Sequence, residues 1–122
     1  MAAAMFSALD ARPPAITISV LRTKTGGEYW RALLSISLCA QSGMPAGTQV
    51  TLTVGSGDDL GRIMIRTGRG LVSRRVSVNG CVQSKIFPPW LSRAPRRASK
   101  CEIIKIANGA VIFEVPKSMV MT

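Results

Sequence analysis

The chain has 122 residues, a formal charge of +10, 47% hydrophobic residues, three cysteines and no histidine. That length corresponds to one domain, able to bury about two-thirds of its unfolded surface without disulfides or metal. The missing histidine excludes Ser-His-Asp and Cys-His catalysis and every His-containing zinc or iron site.

Residues 1–14 are apolar, carry no basic residue before Arg12 and end in Arg12-Pro13-Pro14, which makes a poor secretory signal. They read as a loosely packed N-terminal tail, followed by one β domain over 15–117 and a C-terminal tail over 118–122. Ile16, Ile18 and Val20 alternate with Thr17, Ser19 and Leu21, as a half-buried strand does. Thr25-Gly26-Gly27-Glu28 predicts a hairpin turn with both glycines at positive φ. The alternation then runs on, with Trp30, Ala32, Leu34, Ile36 and Leu38 inward and Tyr29, Arg31, Leu33, Ser35 and Ser37 outward. Gly43, Pro45 and Gly47 predict turns over 41–49.

Val50, Leu52 and Val54 begin a second hairpin that crosses the Gly55–Asp59 loop and returns with Ile63 and Ile65 inward. Leu71 to Val78 is a further strand, ended by Asn79-Gly80. Pro88, Pro89 and Pro95 predict an irregular Pro/Arg-rich loop around 86–99 that lies outside any sheet. Ile104 and Ile106 lead into Asn108-Gly109, a type I′ signal, and Val111, Phe113 and Val115 return before Pro116. The expected fold is all-β: a small single-domain barrel or two packed sheets built from about three hairpins, with no long helix. No stretch reaches the roughly 18–20 apolar residues of a membrane span.

The charge is segregated along the chain. Arg62, Arg66, Arg69, Arg74, Arg75, Lys85, Arg93, Arg96, Arg97 and Lys100 form an acid-free stretch of ten cations, while six cations meet six acids elsewhere. Arginine grips phosphate with a planar, two-pronged set of donors, so this stretch points to an anionic partner. Trp90 lies within it and is a candidate stacking platform, beside Phe87. With only six aromatic residues in the chain, anchoring of an irregular loop on the core is the favoured role of Phe87 and Trp90.

Other motifs carry less chemistry. Gly55-Ser56-Gly57 runs into a strand and lacks the Gly-Lys-Ser/Thr ending of a phosphate loop, which marks it as a hairpin connection. Asp58 and Asp59 fit turn capping better than a metal or acid–base pair. Cys39, Cys81 and Cys101 are odd in number and form no CxxC pair, so they suit a reducing cytoplasm, with Cys39 as a small core residue. No catalytic residue, metal or cofactor is implied.

Residues Gly43–Val54 followed by Gly61–Arg66 resemble the second half of AbrB-like swapped-hairpin modules, in which a Pro-Gly loop enters a strand and a turn leads into glycine-arginine-isoleucine. The resemblance covers residues 43–66, without that family's isoleucine-proline step and with no helix expected before the loop. It implies DNA binding by a basic dimer, although homo-oligomerisation is otherwise left open by the sequence.

The expected function is that of a small, basic, non-enzymatic cytoplasmic protein. Its nucleic-acid-binding residues are Arg62, Arg66, Arg69, Arg74, Arg75, Lys85, Trp90, Arg93, Arg96, Arg97 and Lys100. The contacts are to phosphate, with little base readout visible. The alternative is an inhibitor or adaptor that presents the same basic face to an acidic protein.

Overall fold

The computed structural model describes residues 13–68, 73–77 and 80–121, with the backbone alone over 73–75. The strands are β1 (Ile16–Arg22), β2 (Glu28–Leu34), β3 (Gln49–Val54), β4 (Arg62–Thr67), β5 (Ser73–Arg75), β6 (Cys81–Ser84), β7 (Arg96–Lys100), β8 (Glu102–Ala107) and β9 (Ala110–Glu114). They form a first sheet in the order β6-β2-β1-β7 and a second in the order β5-β3-β4-β9-β8, antiparallel throughout. The expected all-β class is correct, and of its two forms the chain adopts packed sheets rather than a closed barrel. The three hairpins are β1–β2, β3–β4 and β8–β9.

Alternation builds the core. Ile16, Ile18 and Val20 pair with Leu34, Ala32 and Trp30, and all six are buried. Val50, Leu52, Ile63, Ile65, Val111 and Phe113 supply the facing layer from the second sheet. β7 and β8 are one extended stretch that changes sheets at the buried Cys101, whose N–H still donates to the Ile16 carbonyl at 2.9 Å.

Several local expectations need correction. The β1–β2 connection is a three-residue loop, closed by the Thr23 N–H on the Gly27 carbonyl at 2.7 Å. Only Gly26 is left-handed, at φ +93°, where the expected Gly-Gly turn needs two such residues. β2 stops at Leu34, and Ile36–Ser42 is a helix, α1, which places Ile36 91% exposed instead of inward. The Ser35 hydroxyl causes the switch, because it accepts from the Leu38 N–H at 3.1 Å as an N-cap and from the Ala15 N–H at 3.0 Å. Seven residues are too few for an isolated helix. Tertiary contacts therefore hold α1: Leu38 and Met44 are buried, and the Gly109 N–H donates to the Ser42 carbonyl at 2.7 Å.

The expectation that 86–99 avoids the sheets fails at its end. β7 pairs with β1 as an edge strand directly after Pro95, a position where no proline N–H is required of the ladder. β6 has no counterpart among the expected strands. The register of β8 shifts between Ile103 and Lys105, which leaves Ile104 exposed while Ile103 and Ile106 pack on the core. The strand expected from Leu71 to Val78 is described over Ser73–Arg75; Leu71, Val78 and Asn79 lie outside the described residues, as does the N-terminal tail up to Arg12. Beyond Pro116 the chain stays packed, with Met119 buried and Val120 bridged to Leu91. No helix among the described residues is long and apolar enough to cross a membrane.

At Asn108-Gly109 only the glycine has positive φ, +84°, which excludes the expected type I′ turn. A side chain on Gly109 meets the Thr67 hydroxyl at 3.0 Å in addition to the left-handed strain. Gly109→Val should therefore cost about 1–3 kcal/mol. The measurement is the urea unfolding midpoint, and an unchanged value contradicts this turn.

Candidate nucleic-acid interface

The two sheets bury one face each and turn the other outward, and the outward faces differ in the acids they carry. On the first sheet, register places Thr17, Ser19 and Leu21 of β1, Tyr29, Arg31 and Leu33 of β2, Cys81 and Gln83 of β6 and Lys100 of β7 together. None of these is acidic. On the second sheet, Arg62, Glu114 and Glu102 form one cross-strand row, and Asp58 and Asp59 occupy the β3–β4 connection. Four of the five described acids, all but Glu28, thus belong to the second sheet.

This partition divides the sequence-predicted cations. Arg62 is half-buried and ion-paired to Asp59 and Glu114, both at 3.4 Å, so its charge is answered within the chain. It is also the one ion-paired cation among the residues whose side chains are described. Arg66 is exposed on β4, between Thr51 and Ala110. Arg74 and Arg75 stand on β5, an edge of the second sheet, opposite Val50 and Gln49; Arg69 lies outside the described residues. Lys85, Arg93, Arg96, Arg97 and Lys100 are exposed and belong to the first sheet or to the loop that feeds it.

β7 presents its cations in a defined way. Ile18 pairs with Ser99 and Val20 with Arg96, so Arg97 and Ala98 together oppose Ser19 in a bulge. The bulge brings Arg96 and Ser99 to the same side, and the Arg96 Nε donates to the Ser99 hydroxyl at 3.2 Å. Arg93 stacks over the Phe87 ring, 4.8 Å from its centroid. Lys85 sits on a bend fixed by two bonds to the Ile86 backbone. The Ile86 N–H donates to the Ser84 hydroxyl at 3.0 Å, and the Trp30 indole N–H donates to the Ile86 carbonyl at 2.8 Å.

Trp90 is the core anchor that the scarcity of aromatics favours, and its assignment to the nucleic-acid-binding residues as a stacking platform is corrected. It is 5% exposed, and its indole N–H donates to the Gly55 carbonyl at 3.0 Å. Its faces belong to the core. Tyr29 and Arg31 are the residues that sequence reasoning missed. Their outward alternation in β2 was legible, but both lie outside the acid-free stretch, and nothing in the sequence shows that β6 and β7 flank β2 and β1 in one sheet. Tyr29, Thr23, Gln83, Ser84 and Lys85 line a cleft of about 340 Å³ at the end of this face.

The three cysteines are free thiols. Burial raises the pKa of Cys39 and of Cys81, with Arg31 partly offsetting the latter, and pushes Cys101 from its ordinary 9.0 to about 12.

No family model, curated protein or solved structure matches this chain. Residues 43–66, which resemble an AbrB-like module, form the β3–β4 hairpin, and α1 stands before the loop where the sequence led us to expect no helix.

Two measurements test this description. Trp90→Ala should destabilise the fold by about 3–5 kcal/mol, the cost of emptying a large core site. Retention of the wild-type melting temperature would place Trp90 outside the core. The second concerns Cys101, whose folded-state pKa is raised, so its contribution to stability is complete below about pH 9 and lost as the pH climbs towards about 12. Wild-type protein should lose stability across that window more steeply than Cys101→Ala in denaturant titrations, and equal slopes would contradict the burial of this thiol.

Proposed function

We propose that this chain is a small non-enzymatic nucleic-acid-binding protein that holds phosphates on the outer face and β7 edge of the first sheet. The observation that carries this reading is the placement of the acids, four of the five described ones belonging to the second sheet and none to the outward face of the first. A polyanion on the first sheet meets cations with no acid facing it, whereas on the second sheet Asp58, Asp59, Glu102 and Glu114 compete for the cations Arg62, Arg66 and Lys105.

Arg96, Arg97 and Lys100 supply the edge contacts, with Arg93 and Lys85 on the adjoining loop and Arg31 on the face itself. The Ser99 hydroxyl on Arg96 and the Phe87 ring under Arg93 hold two guanidinium groups in place, which reduces the entropy lost when each grips a phosphate. The bulge and the three cations of β7 also disfavour pairing with a partner strand. That argues against strand addition by an acidic protein and in favour of side-chain contacts with a polyanion. Contacts of this kind fix position without reading sequence.

The test is salt-titrated binding to single-stranded and duplex oligonucleotides. Affinity should fall linearly in log–log form, and Arg96→Glu with Arg97→Glu should flatten the slope by about 0.7–0.9 for each phosphate that the variant no longer neutralises, alike on all sequences. Absence of binding at ~50 mM salt would overturn the proposal and leave the basic face to an acidic protein partner.

A further inference from the structure

We infer that the ligand of the first sheet is a single strand, one of whose bases stacks on Tyr29 in the cleft lined by Thr23, Gln83, Ser84 and Lys85. This rests on the nucleic-acid reading above and adds to it the class of ligand and a site for a base.

Aromatic supply comes first. Trp30, Phe87, Trp90 and Phe113 are buried, so among the described aromatic residues Tyr29 alone belongs to an outward face. It is half-buried, beside Leu21 across the β1–β2 pair, and its neighbour Trp30 locks the strand from the core side. A ring so placed is held on one side and open on the other, which is what a stacking platform requires.

The walls of the cleft are equally fixed. Lys85 is set by the Ser84 hydroxyl and the Trp30 indole on the two backbone groups of Ile86. On the other side, Thr23 is tied into the β1–β2 loop, with its hydroxyl accepting from the Gly27 N–H at 3.0 Å. A volume of about 340 Å³ is at the small end of ligand sites, which run from roughly 300 to 1,000 Å³.

Charge surrounds this aromatic without an acid on the face. Arg31 lies two residues further along β2 on the same side, about 7 Å away, and Lys85 borders the ring from the end of β6. A phosphate backbone crossing the sheet thus meets cations on both sides of a base seated on Tyr29. Duplex bases are stacked on one another and their faces are closed to a ring on an open sheet, whereas every base of a single strand offers a π-face.

Fluorescence anisotropy with labelled single-stranded and duplex oligonucleotides tests this, with the wild type, Tyr29→Leu, Tyr29→Phe and the Arg96→Glu/Arg97→Glu protein. Tyr29→Leu keeps apolar bulk on the strand and removes the π-face. It should weaken single-strand binding by about 5- to 150-fold, the range for one base–aromatic stack, with duplex binding unchanged and Tyr29→Phe close to wild type. Photocrosslinking of wild-type protein to a halouracil-substituted single strand should label the peptide that contains Tyr29, a readout independent of any variant's folding. Unchanged single-strand affinity in Tyr29→Leu, with the double arginine variant weakened, would overturn the base site and leave the phosphate reading standing. Equal losses in Tyr29→Phe and Tyr29→Leu would assign the effect to the hydroxyl and overturn stacking. Absence of binding by the wild type would overturn both readings together.

Discussion

Two indole N–H groups tie the irregular segment between β6 and β7 to the sheets. Trp30 donates to the Ile86 carbonyl at its start, and Trp90 donates to the Gly55 carbonyl in its middle. Buried indole nitrogens need a partner, and here the partner is loop backbone. The segment is held again at Trp90 and Ser92, which bond with Met121 and Met119 through their backbones. Everything cationic on the first sheet beyond β2 depends on this anchoring. Lys85 precedes the first anchor, Arg93 follows the second, and β7 begins where the segment rejoins β1.

The same anchoring separates cations from acids. The chain carries its acid-free stretch across both sheets, from β4 through β5, β6 and β7, so proximity in sequence does not make one surface. Arg62 remains with the second sheet and is taken up by Asp59 and Glu114. Arg93, Arg96, Arg97 and Lys100 are delivered to the first, where no described acid faces outward. The sheet switch at Cys101 completes the division, since Lys100 and Glu102 are two residues apart yet belong to different sheets. A thiol is the side chain buried at that crossing, and it adds no charge there.

Much of the fold was legible because period-two alternation is a local signal. Ile16 to Leu21, Val50 to Val54 and Val111 to Val115 alternate as strands do, and the three hairpins follow. The errors share a cause. Alternation cannot show where a strand yields to a helix when a serine hydroxyl is free to cap, as Ser35 does before α1. It also cannot show that Arg96–Lys100 finds an edge to pair with, because the edge is supplied by β1, more than seventy residues earlier. The turn at Asn108-Gly109 is placed correctly by the sequence and typed wrongly, since the docking of Ser42 and Thr67 against Gly109 helps set its conformation.

The sequence by itself determined the all-β class, the inward faces of β1, β3, β4 and β9, and the presence of a strongly basic stretch. Those features follow from the order of side chains along an extended backbone, which neighbouring residues dictate. Only the tertiary structure decided which cations share a surface and that Tyr29 and Arg31 stand beside Gln83 and Lys85. Such neighbourhoods are set by strand pairing between segments fifty residues apart, and the free energy that selects the pairing comes from burying Trp30, Phe113 and the aliphatic rows between the sheets. No local pattern encodes that choice, because the exposed side chains of the candidate site contribute little to the burial that places them.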